Sequence, residues 1–189
     1  MFNFIKQTIT HPLKTGAFAP SGEELTELIT TSADLQSAKV VVELGCGNGV
    51  FTEQIVKKIG PNTFFFVIEI NEDFIEATQK RCPNVMIYSD NAVNISKYLK
   101  QNGFDHCDVI ISGLPFAFFN TKTQRELMDA ISTSLKPQGK FLTFSYVHGL
   151  YFPSGKHFKD LLTKYFTSVA KSEVVLKNIP PAFVYVCIK

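Results

Sequence analysis

A glycine-rich turn beside a buried acid is the stretch of this chain whose residue types and spacing most directly predict chemistry. Glu43 follows the apolar run Val40–Val42, and three glycines follow at alternate positions, Gly45, Gly47 and Gly49. An apolar β-branched run that stops at such a turn is typical of a strand leading directly into a helix. Glycine lets a ligand lie against bare backbone, and the helix that follows points its free N–H groups at the same place. The sequence therefore predicts a ligand-binding turn.

The residues of the turn limit which ligand it can hold. A phosphate-binding loop ends in Gly-Lys-Ser/Thr, whereas Asn48-Gly49-Val50 contains no lysine. The glycine spacing also differs from the one that a dinucleotide fold prefers. Glu43 would place a carboxylate next to the ligand, which suits a cationic or amine-bearing molecule better than a pyrophosphate.

Strands and helices alternate from Lys39 onward, which predicts the elements that position this turn. Predicted strands span 40–44, 63–69, 85–88, 107–112, 140–147, 168–177 and 182–188, and predicted helices span 49–59, 72–81, 93–101, 121–135 and 155–166. Such alternation predicts an α/β fold with an open, doubly wound, mostly parallel sheet and helices on both faces. The short link between the last two strands favours an antiparallel pair. Ligands of such sheets bind beyond the carboxyl ends of the strands.

The segment before the first strand predicts added helices. Residues 2–10 place Phe2, Ile5 and Ile9 on one face, so this helix either packs on the domain or lies in a membrane interface. A second helix is expected to start at Ser21, with a capping box completed by Glu24. We expect one domain over residues 1–189, with residues 1–35 as a helical cap and residues 39–189 as the catalytic core.

The composition indicates a globular protein and gives little support for a nucleic-acid partner or a metal site. Of 189 residues, 45% are hydrophobic and 19% are charged, and the net charge of +2 is weak evidence for nucleic-acid binding. The four cysteines form no CxxC pair, so no metal site is predicted and a reducing, cytoplasmic location is expected. The first residues lack the layout of a signal peptide, and no apolar stretch reaches the ~20 residues needed to span a bilayer.

The strand ends resemble the motifs of class I S-adenosylmethionine-dependent methyltransferases. The turn at Glu43–Gly49 resembles their first motif, the end of the second strand at Glu69 resembles the second, and Ser89–Ala92 resembles the third. The resemblance implies a Rossmann-like seven-stranded sheet and S-adenosylmethionine as cofactor, with Glu69 on the ribose hydroxyls and Asp90 or Asn91 near the adenine amino group. The cofactor-binding positions it implies are Thr15, Gly16, Glu43, Gly45, Gly47, Asn48, Gly49, Glu69, Ile70, Asp90, Asn91, Gly113 and Leu114.

The fourth motif, Gly113-Leu114-Pro115-Phe116, bears on the acceptor. Enzymes that methylate the adenine amino group carry Asn or Asp at its first position, and an aromatic ring at its end stacks on the base. Gly113 departs from that pattern because it offers no side chain. Backbone carbonyls and the ring of Phe116 would suit an alkylamine through cation–π attraction.

A narrower resemblance, to bacterial phospholipid N-methyltransferases, covers nearly the whole chain and extends to four segments. These are His11–Ser21, Ser112–Phe116, Ser145–Gly149 and Asn178–Ala182. The resemblance implies methylation of the phosphatidylethanolamine headgroup. It also implies contact of residues 2–14 with an anionic membrane surface and a peripheral location on the inner face of the membrane. Thr15 and Gly16 would close over the cofactor.

The sequence leaves the proton acceptor and the acceptor molecule open. Tyr146 or His148, at a strand end on the ligand side, could take the proton of the amine or hold a bridging water, or could be structural. The first alternative function is N6-methylation of adenine in rRNA or tRNA, since the motifs are also related to those of rRNA adenine dimethyltransferases. The second is a non-catalytic module that binds S-adenosylmethionine or a membrane.

Overall fold

The computed structural model describes residues 22–189, and it contains a seven-stranded sheet with the strand order β3-β2-β1-β4-β5-β7-β6. The strands are β1 (Val40–Leu44), β2 (Phe64–Glu69), β3 (Met86–Ser89), β4 (Cys107–Ser112), β5 (Leu135–Tyr146), β6 (Ser168–Lys171) and β7 (Ala182–Ile188). The helices are α1 (Glu23–Ser32), α2 (Val50–Lys58), α3 (Glu72–Arg81), α4 (Ile95–Gln101), α5 (Thr121–Ser134) and α6 (Pro153–Tyr165). Short 3₁₀ helices occupy Leu35–Ser37, Ala92–Asn94, Phe116–Phe118 and Val147–Tyr151. Within residues 22–189, no helix is long and apolar enough to cross a bilayer.

The structure confirms the predicted sheet and the predicted directions of its strands. Strands β1 to β5 pair in parallel, and β7 is antiparallel to both β5 and β6. The strand order reverses between β1 and β4, so the chain leaves these neighbouring strands toward opposite sides and opens a crevice beyond their carboxyl ends. Tyr146 at the end of β5 pairs with Ala182 at the start of β7. The start of β7 therefore lies at the same edge of the sheet as that crevice.

Alternating residues of the central strands face two separate apolar cores. In β1, Val40, Val42 and Leu44 pack on the side covered by α4, α5 and α6, and Val41 packs on the side covered by α1 and α2. All five residues of β1 are buried, because helices cover both faces of a parallel strand. The rigid centre of the sheet thereby holds the glycine turn that follows β1.

Two strand bounds differ from the sequence expectation by more than one residue. Strand β5 begins at Leu135, not at 140, because Leu135 pairs with Cys107 before a register shift, and the expected turn is a bulge in which Gln138 has a φ of 63°. Strand β6 ends at Lys171, not at 177, since beyond it an isolated bridge joins Val175 to Ala182. Irregular pairing of this kind leaves no periodic signal in the sequence.

Helix α1 begins one residue later than the expected capping box. Gly22 occupies the N-cap position, and no side chain there accepts a hydrogen bond from the helix. Ser21, the expected cap, and the predicted helix at residues 2–10 lie outside the described residues.

Candidate active site

The glycine turn after β1 has the backbone conformation that its glycines predict. Gly45, Gly47 and Gly49 have φ values of 75°, 55° and 81°, in the left-handed region that favours glycine. A Cβ at Gly45 would lie 2.7 Å from the Cδ2 of Leu114, whereas one at Gly47 would meet nothing within 4 Å. The turn is therefore packed tightly at its first glycine and presents open backbone at its second.

Glu43 lies fully buried beneath this turn. Its Oε2 accepts a hydrogen bond of 2.7 Å from the hydroxyl of Thr52, and its Oε1 has no hydrogen-bond partner among residues 22–189. Burial raises the pKa of the carboxyl group to about 8; the charge of Glu69 adds to this effect, and the Thr52 hydrogen bond opposes it. A buried carboxyl oxygen without a partner is uncommon in a folded protein.

Glu69 at the end of β2 ties that strand to the glycine turn. Its Oε1 accepts hydrogen bonds from the backbone N–H groups of Ile70 and Asn71, at 2.8 and 2.9 Å. Burial raises the pKa of Glu69, and backbone hydrogen bonds, including those from Gly47 and Cys46, work against that rise. The carboxyl group of Glu69 thus lies next to the glycine turn, as the sequence predicted.

Asp90 after β3 organises the loop that follows it. Its Oδ2 accepts from the hydroxyl of Tyr98 at 2.7 Å and from the Nζ of Lys97 at 2.9 Å, and its Oδ1 accepts from the backbone N–H of Asn91 and the amide of Asn94. Burial favours the neutral acid, but these donors outweigh it and hold the pKa of Asp90 far below its usual range. Asp90 is therefore a charged anchor for the loop at Asn91.

An open cleft lies at this edge of the sheet and brings many of the predicted positions together. Six implied cofactor positions line it, namely Gly45, Glu69, Ile70, Asp90, Asn91 and Leu114. The other predicted positions do not line it: Glu43 lies in β1, and Gly47, Asn48, Gly49 and Gly113 lie in the turns that follow β1 and β4. Thr15 and Gly16 lie outside the described residues.

The opposite wall of the cleft comes from residues that the sequence did not single out. These are Phe119, just before α5, and Thr123, Glu126 and Leu127 in the first two turns of α5. The spacing of the last three, at i, i+3 and i+4, places them on one helix face. This spacing is the signal that could have found them, because the helix after the fourth strand must begin near the carboxyl edge.

Close packing accounts for the glycine at position 113. The N–H of Gly113 donates to the carbonyl oxygen of Leu44 at 2.9 Å, so β1 and β4 remain in contact beyond their last residues. A Cβ at Gly113 would collide with the carbonyl oxygen of Gly45. The site therefore has no room for an amide or carboxylate side chain at this position.

Phe116 does not occupy the place that the fourth motif suggests. Its side chain is 2% exposed, and its ring stacks on Phe158 with centroids 4.3 Å apart. Phe119 and Phe141 contact its edge. The ring is a core residue here and has no free face for an acceptor, because the motif loop turns it inward against α6.

Tyr146 and His148 lie together at the end of β5, with different exposure. Tyr146 is buried, and burial raises the pKa of its hydroxyl. His148 is exposed, and its ring stacks on that of Tyr146 at 5.5 Å between centroids. The ring of Phe152 lies nearly perpendicular to that of His148, with 6.0 Å between centroids. Of the two predicted proton acceptors, His148 is the one that a dissolved or membrane-bound molecule can reach.

Gln124, which sequence analysis did not single out, fixes the loop after β4. Its buried amide nitrogen donates to the carbonyl oxygens of Phe116 at 2.7 Å and Ser154 at 2.9 Å, and its oxygen lies 2.6 Å from the Nδ1 of His157. Because the amide oxygen accepts, Nδ1 of His157 is the donor. The hydroxyl of Ser154 donates to the carbonyl oxygen of Ala117. These bonds join the fourth-motif loop to the start of α6.

A fold and a site of this kind define the class of the protein. The sequence profile of the family described as "Methyltransferase domain" matches residues 41–139, and this chain belongs to that family. The cofactor of the chain is S-adenosylmethionine, and the chain is a methyltransferase that depends on it.

Solved structures and a curated relative agree with this class. The O-methyltransferase TomG from Streptomyces achromogenes, solved with S-adenosylmethionine, has a TM-score of 0.72 at 16% identity and covers 96% of this chain and 86% of its own. The N-methyltransferase NodS from Bradyrhizobium japonicum has a TM-score of 0.66 at 15% identity, over 88% of this chain and 94% of its own. These two likenesses show the fold. An ornithine lipid N-methyltransferase from Singulisphaera acidiphila is 28% identical over 98% of this chain and 94% of its own.

Proposed function

We propose that this chain transfers a methyl group from S-adenosylmethionine to the amine nitrogen of a membrane lipid headgroup, with phosphatidylethanolamine as the acceptor to test first. The observation that carries the proposal is the similarity to the ornithine lipid N-methyltransferase, which extends over 98% of this chain and 94% of that protein. Ethanolamine and ornithine headgroups both present a primary alkylamine, so the proposal assigns the acceptor class by its chemistry.

The residues of the cleft fit the cofactor. Glu69 would accept hydrogen bonds from the ribose hydroxyls, and Asn91 with the loop anchored by Asp90 would surround the adenine. The open backbone at Gly47 accommodates a ligand in direct contact with the main chain. Glu43 lies beneath the turn and outside the lining of the cleft, so its role would be to hold the start of α2 through Thr52. Thr15 and Gly16, outside the described residues, would close over the cofactor.

The residues of the chain then have to orient the amine, take its proton and exclude water. When bound, S-adenosylmethionine supplies a methyl group that its sulfonium already activates. An alkylamine must lose a proton before it attacks, and we assign that proton to the exposed ring of His148. Tyr146 supports the imidazole by stacking beneath it. Backbone carbonyls of the fourth-motif loop, held by Gln124, would orient the nitrogen.

A lipid acceptor requires contact with a membrane. Residues 2–14, with an apolar face of Phe and Ile and lysines at positions 6 and 14, are proposed to contact an anionic membrane surface. The protein would then act as a peripheral membrane enzyme at the inner face of the membrane.

The alternative of adenine N6-methylation is disfavoured by one packing contact. Enzymes of that kind need Asn or Asp at the position of Gly113, and a side chain there would collide with the carbonyl oxygen of Gly45. The net charge of +2 gives little support for a polyanionic partner. The alternative of a non-catalytic module has no specific contact in its favour.

The decisive experiment supplies radiolabelled S-adenosylmethionine with detergent-dispersed phosphatidylethanolamine, ornithine lipid or unmodified rRNA. We expect label in a lipid product and none in RNA. Label in RNA, together with steeply salt-dependent RNA binding, would contradict the proposal. Cofactor binding without turnover of any amine would favour the non-catalytic alternative.

A further inference from the structure

Four large apolar side chains are exposed on loops at the carboxyl end of the sheet. Tyr151, Leu176 and Ile179 are 77%, 75% and 78% exposed, and Phe152 is 40% exposed. These four residues are called the apolar rim below. Single exposed apolar residues are normal on a protein surface, whereas several at one edge indicate an interaction site.

The sheet topology brings the two loops of the apolar rim side by side. Tyr151 and Phe152 follow β5, and Leu176 and Ile179 precede β7. The end of β5 pairs with the start of β7, and the N–H of Val147 donates to the carbonyl oxygen of Pro181 at 2.9 Å. Both loops therefore lie beyond the same edge of neighbouring strands.

That edge is also the edge of the cofactor cleft. Leu44 at the end of β1 pairs with Ser112 at the end of β4, and Ser112 pairs with Thr143 near the end of β5. The ring of Phe152 lies 6.0 Å from that of Phe118 in the fourth-motif loop. The apolar rim is thus continuous with the loop that the proposed acceptor must reach.

Hydrogen bonds hold the loop of Leu176 and Ile179 in an ordered conformation. Asn178, between them, is 4% exposed; it accepts from the N–H of Gly22 at 2.9 Å and donates to the carbonyl oxygen of Pro180 at 2.6 Å. Leu176 and Ile179 are exposed, whereas Asn178 is buried. The exposure of these apolar side chains is therefore built into the loop.

Positive charge accompanies the apolar rim. Helix α6 begins directly after Phe152. Lys156 in its first turn and Lys159 in the next are both exposed. Apolar side chains next to lysines match the chemistry of an anionic bilayer, which takes the former among its acyl chains and the latter at its headgroups.

We infer that the apolar rim is a second membrane-docking surface, which seats the carboxyl edge of the sheet on an anionic phospholipid bilayer. The inference deepens the proposed lipid function and rests on it. It is independent of residues 2–14, since every residue of the apolar rim lies within the described part of the chain. When the protein is docked in this way, the opening of the cofactor cleft faces the membrane. A lipid headgroup then reaches the cleft without leaving the bilayer.

The test measures binding of the full chain to vesicles of phosphatidylglycerol and phosphatidylcholine, which contain no primary amine and so separate binding from turnover. We expect the double variant Leu176→Ser/Ile179→Ser to bind at least about tenfold more weakly. Val56→Ser is the matched control, because Val56 is 42% exposed on α2, near its end away from the carboxyl edge. Lys156→Glu, which changes the charge by two, should weaken binding at least about fivefold on these anionic vesicles and leave binding to pure phosphatidylcholine vesicles unchanged.

Three results would overturn the docking surface: binding by the double variant equal to wild type, an equal loss in Val56→Ser, or no vesicle binding by the wild type. An equal loss in Val56→Ser would show a general effect of removing an exposed apolar side chain. Wild-type binding by the double variant would show that the apolar rim does not contact the bilayer. Methylation of detergent-dispersed phosphatidylethanolamine is measured in parallel. If that activity is absent while rim-dependent binding persists, the proposed acceptor is wrong and the docking surface stands.

Discussion

Replacing Glu43 by glutamine tests the physical state of the buried acid beneath the glycine turn. Glutamine keeps the shape of the side chain and an oxygen that can accept from Thr52, but it cannot ionise. The pKa of Glu43 is about 8 in the folded protein and 4.5 for an ordinary glutamate. The folded state therefore holds the proton of Glu43 more tightly than the unfolded chain does.

The sign and size of the effect follow from this difference. Well below pH 4.5 Glu43 keeps its proton in both states, so its ionisation does not change the free energy of unfolding. As the pH rises toward 8 the unfolded chain releases the proton first, so the free energy of unfolding falls. At about 1.36 kcal/mol for each pH unit, the fall amounts to at most about 5 kcal/mol. Above about pH 8 both states are ionised and the fall levels off.

The assay is urea unfolding of the cofactor-free protein from pH 5 to pH 8.5, for wild type and Glu43→Gln. We expect similar stabilities at pH 5 and a variant that is more stable than wild type by several kcal/mol at pH 8.5. The other titrating groups are common to both proteins, so their contributions cancel in the difference. Glu76→Gln is the control, because hydrogen bonding to Lys80 lowers the pKa of this exposed glutamate, and its curve should follow wild type above pH 5. Parallel curves for wild type and Glu43→Gln would refute the reasoning.

Three further substitutions test the rest of the site. Glu69→Ala should weaken S-adenosylmethionine binding at least about tenfold by calorimetry, and Glu69→Gln should weaken it less because the amide oxygen can still accept from the backbone; unchanged affinity in Glu69→Ala would contradict the ribose assignment. Gly113→Ala should destabilise the fold by about 1–3 kcal/mol in urea unfolding, since its Cβ collides with a carbonyl oxygen; wild-type stability would contradict the close contact. Gln124→Leu should destabilise by about 2–4 kcal/mol and raise the KM for the lipid more than the dissociation constant of the cofactor; equal changes in both would show that Gln124 does not act through the fourth-motif loop.

The cofactor half of the site could be predicted from the sequence because its signals are local. The glycine turn, Glu69 and Asp90 each sit at the end of an apolar run, and parallel pairing alone brings such ends to one edge. Strand β4 and helix α3 have the predicted bounds for the same reason, since periodicity and capping residues lie within a few positions of each other.

The acceptor half could not be predicted in the same way because it depends on contacts between distant residues. Phe116 turns inward because Phe158, more than forty positions later, offers a stacking partner. Gln124 owes its role to carbonyl oxygens and an imidazole on two other segments. A motif match gives the residue type at a position, and the direction of its side chain is decided by packing that the motif does not contain.

The end of the family match divides the sheet into two parts. The family match at residues 41–139 ends inside the bulge of β5, whereas His148, the start of α6 and the apolar rim all lie after it. The glycine turn, Glu69 and Asp90 lie within the match, so the residues assigned to the cofactor belong to the part of the chain that the family shares. A new acceptor can evolve through changes after β5 while the donor half stays intact. Chimeras that join residues up to β5 of one methyltransferase to the last third of another are therefore a natural route to new acceptor specificity.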